Sequence, residues 1–93
     1  MKISKEKREK IYEQILAFLF SVSPKPLFTL NIAKEIARDE EFVKSLLIEL
    51  KKKDLVIEIK KNSEGIDYLK RSRWKLSDKA YQAYKNHQKN LNN

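Results

Sequence analysis

At 93 residues the chain has room for one domain, 1–93, with a single modest core. Its 21 Lys and Arg against 13 Asp and Glu leave a formal charge of +8, which favours a polyanionic partner, nucleic acid before an anionic membrane face; a solubilising or ion-pair surface is the competing explanation. With no Cys, one His and one Gly, the composition excludes disulfides, thiolate metal sites, Cys-based triads and Gly-rich phosphate loops, and one His is too few for a His-based metal site.

The longest apolar run, Ile15 to Phe20, falls far short of the roughly 20 residues a membrane span requires. Glu6 and Glu9 interrupt the basic start and Ser23-Pro24-Lys25-Pro26 follows the apolar part, so no secretory leader is expected and the cytoplasm is the expected compartment.

Helical periodicity predicts a first helix over 4–22, capped by Ser4. It carries two apolar stripes, Ile11-Ile15-Phe18-Val22 and Tyr12-Leu16-Leu19-Phe20. Pro24 and Pro26 end it, and Leu27-Phe28 reads as a short strand, 27–28. A second helix, 29–38, starts with Thr29 as its expected cap and turns Ile32, Ala33, Ile36 and Ala37 to the core. A third, 39–53, is capped by Asp39 and carries Val43, Leu46, Leu47 and Leu50 at core spacing; almost no linker separates it from the second, as in a helix-turn-helix.

The β-branched run Leu55 to Lys60, the turn residues Asn62-Ser63-Glu64-Gly65 and a return strand from Tyr68 to Leu76 predict a hairpin over 55–76. Ser77 caps a last helix, 77–89, bearing Ala80, Tyr81 and Tyr84.

This order of elements carries local motifs. Thr29-Leu30, Ile32-Ala33, the Asp39 cap, Val43, Leu46-Leu47, Leu50 and Asp54-Leu55-Val56 resemble the helix-turn-helix of winged-helix regulators of the MarR and PadR type. Arg73-Trp74-Lys75-Leu76-Ser77-Asp78-Lys79-Ala80 is similar to the junction between wing and last helix in that family. Two features depart from it: Asp54 stands where the family usually has Gly, and Asp39-Glu40-Glu41 makes the start of the third helix acidic.

The resemblance implies an α+β, mostly helical winged helix-turn-helix: a three-helix core, a short strand, a β-hairpin wing and a C-terminal helix. It also implies double-stranded DNA binding, as a dimeric transcriptional regulator, with no enzymatic activity, no cofactor and no small-molecule substrate. A winged-helix protein-interaction module of a transcription or replication assembly stays open as the alternative, and so does a sequence-neutral DNA coat.

Phe42, Lys44, Ser45, Ile48, Lys51 and Lys52 are the expected groove-facing residues of the third helix, the recognition helix, with Lys44 and Ser45 central. Lys60, Lys61, Lys70, Arg71, Arg73 and Lys75 crowd the wing and suit phosphate contacts or a minor groove; a Lys- and Arg-protected edge hairpin is the plainer explanation. Trp74 alternates with Arg73 and Lys75 and is expected to anchor the core. A helix on one small core needs one apolar stripe, so the second stripe is expected to join Tyr81, Tyr84 and Leu91 in a two-fold dimer interface made of Tyr12, Leu16, Leu19, Phe20, Tyr81, Tyr84 and Leu91.

Overall fold

The computed structural model describes residues 3–60 and 71–91, with side chains through 88. In chain order these residues form α1 (Lys5–Val22), β1 (Leu27–Phe28), α2 (Thr29–Ile36), α3 (Glu40–Lys52), β2 (Val56–Ile59), β3 (Arg73–Leu76) and α4 (Asp78–Leu91). The architecture is α+β and mostly helical.

Each helix starts where its chemistry dictates, with one exception. Ser4 accepts the Lys7 N–H at the head of α1, and the Asp39 carboxylate accepts the Phe42 N–H at 3.0 Å to cap α3. Ser77 Oγ accepts the Ala80 N–H at 3.1 Å and donates to the Asp54 carbonyl at 2.7 Å, so one hydroxyl starts α4 and fastens it to the exit of α3. Thr29 is the exception. Phe28 occupies the cap position of α2 without a side-chain bond, and Thr29 is the first helical residue, 8% exposed, with its hydroxyl turned inward.

Two helices end on left-handed residues that are not glycine. α2 stops at Ile36, two residues short of the expected end, because Ala37 turns to φ 56° and the Arg38 N–H returns to the Ala33 carbonyl. Asp54 takes φ 61° after α3, the role expected of it in place of Gly. α4 runs to Leu91, past the expected 89.

The strands form an antiparallel sheet in the order β1-β3-β2, which places β3 in the middle. The described strands are shorter than the expected 55–60 and 68–76, and Tyr68 lies outside the described residues. Trp74 faces Leu27 on one side and Glu58 on the other, while Arg73 faces Phe28 and Ile59. Period two then puts Val56, Glu58, Trp74 and Leu76 on the helix-facing side and Ile57, Ile59, Arg73 and Lys75 on the outer side.

The core gathers Ile11, Ile15, Leu16 and Leu19 of α1 with Ile32 and Ala33, with Val43, Leu46, Leu47 and Leu50, and with Val56, Trp74, Leu76 and Ala80. Trp74 is fully buried at its centre, as expected, and its indole N–H donates to Thr29 Oγ1 at 2.8 Å.

This packing removes two residues, Leu16 and Leu19, from the expected dimer face. Leu16 and Leu19 are 5% and 1% exposed and lie inside the chain's own core, so neither needs a partner. Tyr12 turns to α3 and donates to Glu49 at 2.7 Å; burial, then that bond, raises its phenol above the usual value. Phe20 packs its ring 5.4 Å from Tyr81 and 5.6 Å from Tyr84, within the same chain. Tyr84 donates to Glu13 at 2.7 Å, and burial followed by that carboxylate pushes its phenol well up. The side chain of Leu91 lies outside the described residues. The second stripe is partly covered within the chain: Leu16 and Leu19 are buried, while Tyr12 and Phe20 stay half-buried against α3 and α4. Among the described residues, no helix is long and apolar enough to cross a membrane.

Thr29→Val keeps the shape and removes the acceptor of the Trp74 N–H. It is expected to lower stability by about 1–3 kcal/mol in denaturant unfolding. The same change made beside Trp74→Phe, where no donor is stranded, is expected to cost distinctly less.

Candidate nucleic-acid interface

The buried side of α3 is the line Val43, Leu46, Leu47 and Leu50. Diametrically opposite, at steps of four, three and four residues, run Glu41, Ser45, Ile48 and Lys52, all exposed. Lys44 is exposed to one side of that line and does not lie on it. Ile48 is 39% exposed, one of the large apolar side chains the fold leaves in solvent. Ser45 donates its hydroxyl to the Phe42 carbonyl at 2.6 Å, so its oxygen faces outward as an acceptor.

Two of the expected groove residues are used otherwise. Phe42 is half-buried against the core and is a packing residue. Lys51 reaches back to the sheet and pairs with Glu58 at 2.9 Å. Glu58, 11% exposed, also accepts from Ser72 Oγ. Burial opposes its ionisation, yet the bonds from Ser72 and Lys51 and the charges of Lys51 and Lys60 outweigh this and hold the carboxyl below its usual value. Half the expected cationic pair at the end of α3 is thus compensated, while Lys52 stays open to solvent.

Of the wing, Lys60 and Arg71 are exposed, and the Arg71 guanidinium lies 5.8 Å from the centre of the Phe28 ring. Arg73 and Lys75 are half-buried on the outer face of β3. Lys61 and Lys70 lie outside the described residues.

Lys44 and Arg71 converge. Both line a cleft of about 290 Å³ with Phe28, Thr29, Leu30, Glu40, Glu41 and Ser72, where the starts of α2 and α3 meet the base of the wing. The acidic start of α3 shares this cleft with the two cations. His87 is exposed near the far end of α4. Among the described residues, no cluster of three or more His, Asp or Glu side chains is placed to hold a metal.

Sequence reasoning did not single out Glu41 as part of the outward line, although its spacing from Ser45 carries that information. It also missed Arg8, whose Nη1 donates to both oxygens of Glu49 and, with Tyr12, ties α1 to α3. No local pattern announces a pair that is 41 residues apart.

The chain folds as a winged helix. No protein-family model matches the sequence, and no curated protein matches it. Solved structures do. A Staphylococcus aureus MepR–DNA complex superposes with a TM-score of 0.65 at 22% identity, covering 97% of this chain and 68% of that one. MepR described as a transcription regulator of the multidrug efflux pump MepA gives 0.61 at 21%, over 95% and 70%. A mutant of Lactococcus lactis ZitR gives 0.61 at 18%, over 82% and 49%. The chain spans about half the length of some of these proteins, 49% of that ZitR chain and 56% of one MepR chain. At these identities the likeness is one of fold, and the expectation of a winged helix-turn-helix is borne out at that level.

The depressed Glu58 carboxyl has a defined consequence for stability. Its contribution is present above the ordinary carboxylate pKa of about 4.3 and is lost as the pH falls through the lower folded-state value. Glu58→Gln is therefore expected to destabilise the protein at pH 7 by on the order of 1 kcal/mol, the gap closing toward pH 3. Urea unfolding of both proteins across that range checks it.

Proposed function

We propose that this chain is a cytoplasmic, non-enzymatic, double-stranded-DNA-binding transcriptional regulator that sets α3 in the major groove and lays its wing along the phosphates. The observation that carries this reading is the convergence of Lys44 of α3 and Arg71 of the wing on one cleft, on a chain of net charge +8. A duplex seated there meets cations from both elements at once, which is the geometry a winged helix needs to hold a backbone while a helix reads base edges. The DNA complex named for the structurally similar MepR supports the same reading.

Replacing Lys44, Lys52, Lys60 and Arg71 by Ala is expected to weaken binding to every duplex alike. The slope of log affinity against log salt should flatten by roughly one unit for each phosphate that is no longer neutralised. A folded variant with an unchanged slope removes this face from the mechanism. Absence of duplex binding by the unaltered protein at low salt would favour the protein-interaction alternative.

The reading includes a two-fold dimer, which sets two recognition helices about 34 Å apart on a palindromic site. The outer side of the α1–α4 seam supplies the contact: Phe20, Tyr81 and Tyr84 stay half-exposed there, with Ala83 exposed beside Tyr84. Sedimentation equilibrium at micromolar concentration is expected to give a two-chain mass that Ala83→Glu reduces to one. A one-chain mass for the unaltered protein excludes the dimer.

A further inference from the structure

We infer that α3 selects a thymine beside an amino-bearing base, adenine or cytosine, with Ile48 reading the thymine methyl and Ser45 and Glu41 accepting from the amino group. The inference rests on the DNA reading above and names what that surface recognises.

The argument starts from the chemistry of the outward line. A helix lying in a major groove presents to the bases the residues directly opposite its buried stripe, here Glu41, Ser45, Ile48 and Lys52. Three of these carry no free donor. Glu41 is a carboxylate, Ile48 is apolar, and the Ser45 hydroxyl hydrogen is spent on the Phe42 carbonyl at 2.6 Å. A surface of acceptors faces guanine poorly, because guanine shows only the acceptors N7 and O6 in that groove. It suits cytosine N4 and adenine N6, which donate there; since every pair carries one of the two, the acceptors fix which strand holds the amino base.

Ile48 adds the second half. It is 39% exposed in a helix whose other aliphatic side chains are buried, and the one apolar feature of the major groove is the thymine methyl. Ser45 and Ile48 are three residues apart, a rise of roughly 4.5 Å, which compares with roughly 3.4 Å between successive bases. The two side chains therefore meet neighbouring base pairs.

Glu41 explains why the start of α3 is acidic. A carboxylate near phosphates weakens binding to every sequence, and accepting from a base amino group restores affinity only at the right one. The residue acts as a discriminator: it lowers affinity in general and raises selectivity.

Lys44 stands to the side and lines the cleft with Arg71, which suits a phosphate contact. This moves the centre of the reading surface from Lys44 and Ser45 to Ser45 and Ile48.

The test uses the full chain and a random duplex library, from which bound sequences are selected. Thymine in the preferred duplex is then replaced by deoxyuridine, one position at a time. At one position per half-site, removing the methyl is expected to weaken binding about fourfold, the worth of one buried methyl group. Ile48→Ala is expected to bind the thymine and uracil duplexes alike. Because Ile48 is on the surface and the readout is a ratio within each variant, a change in overall stability does not imitate this result.

Glu41→Ala is expected to tighten binding to unrelated duplexes while flattening the preference at the adjoining base pair. Uracil tolerated at every position, a selected motif without thymine, discrimination retained by Ile48→Ala, or an unaltered base preference in Glu41→Ala would each overturn the inference and leave DNA binding standing. Failure to bind any duplex would overturn the DNA reading together with it.

Discussion

The fold turns on one buried hydrogen bond, from the Trp74 indole to the Thr29 hydroxyl. Trp74 sits on the middle strand, so whatever fixes it fixes β1 and β2 as well. A large ring with a single donor is at ease in a core only where that donor finds an acceptor. Thr29 supplies it because the helix starts one residue earlier than a Thr cap requires, which turns the hydroxyl inward. The wing is thereby joined to the helix-turn-helix at the first residue of α2, next to the cleft where Lys44 and Arg71 meet.

Charge on this protein is uneven in its effect as well as in its sum. The excess of +8 is a whole-molecule quantity, but some cations are spoken for. Lys51 is held by Glu58 and Arg8 by Glu49. Among the described residues Lys44 and Arg71 line the cleft, set against Glu40 and Glu41, and Lys52 and Lys60 are exposed elsewhere on α3 and the wing. Such a surface is tuned by the acids within it, since each removes general attraction to a polyanion and leaves local contacts to decide. The Glu58 pair has a structural share too: it joins the end of α3 to β2.

How far a local pattern reaches is visible in α1 and in the wing. The stripes of α1 were legible as apolar and helical, and both are used. That Leu16 and Leu19 belong to the core rather than to a second chain was not legible, because periodicity counts apolar faces without saying how many neighbours surround a helix. Likewise Val56 to Ile59 reads as a strand, yet alternation leaves open which face is buried. The pairing of Glu58 with Trp74 decides it, putting a carboxylate inward and Ile57 and Ile59 outward.

Local chemistry along the chain was enough to set the order of the elements, most of their ends and the nature of the exposed groups, since Ser4, Pro24, Asp39, Asp54 and Ser77 act through bonds and dihedral limits only a few residues long. The basic character of the wing was equally plain. Packing alone settled which of those groups are spent and which stay open. Lys51 finds Glu58 across the turn into the sheet, Ser45 gives its donor to its own helix, and Thr29 gives its hydroxyl to a residue 45 positions away. Hydrogen-bond capacity is fixed by residue type, whereas its use depends on which partners the packed chain brings within about 3 Å.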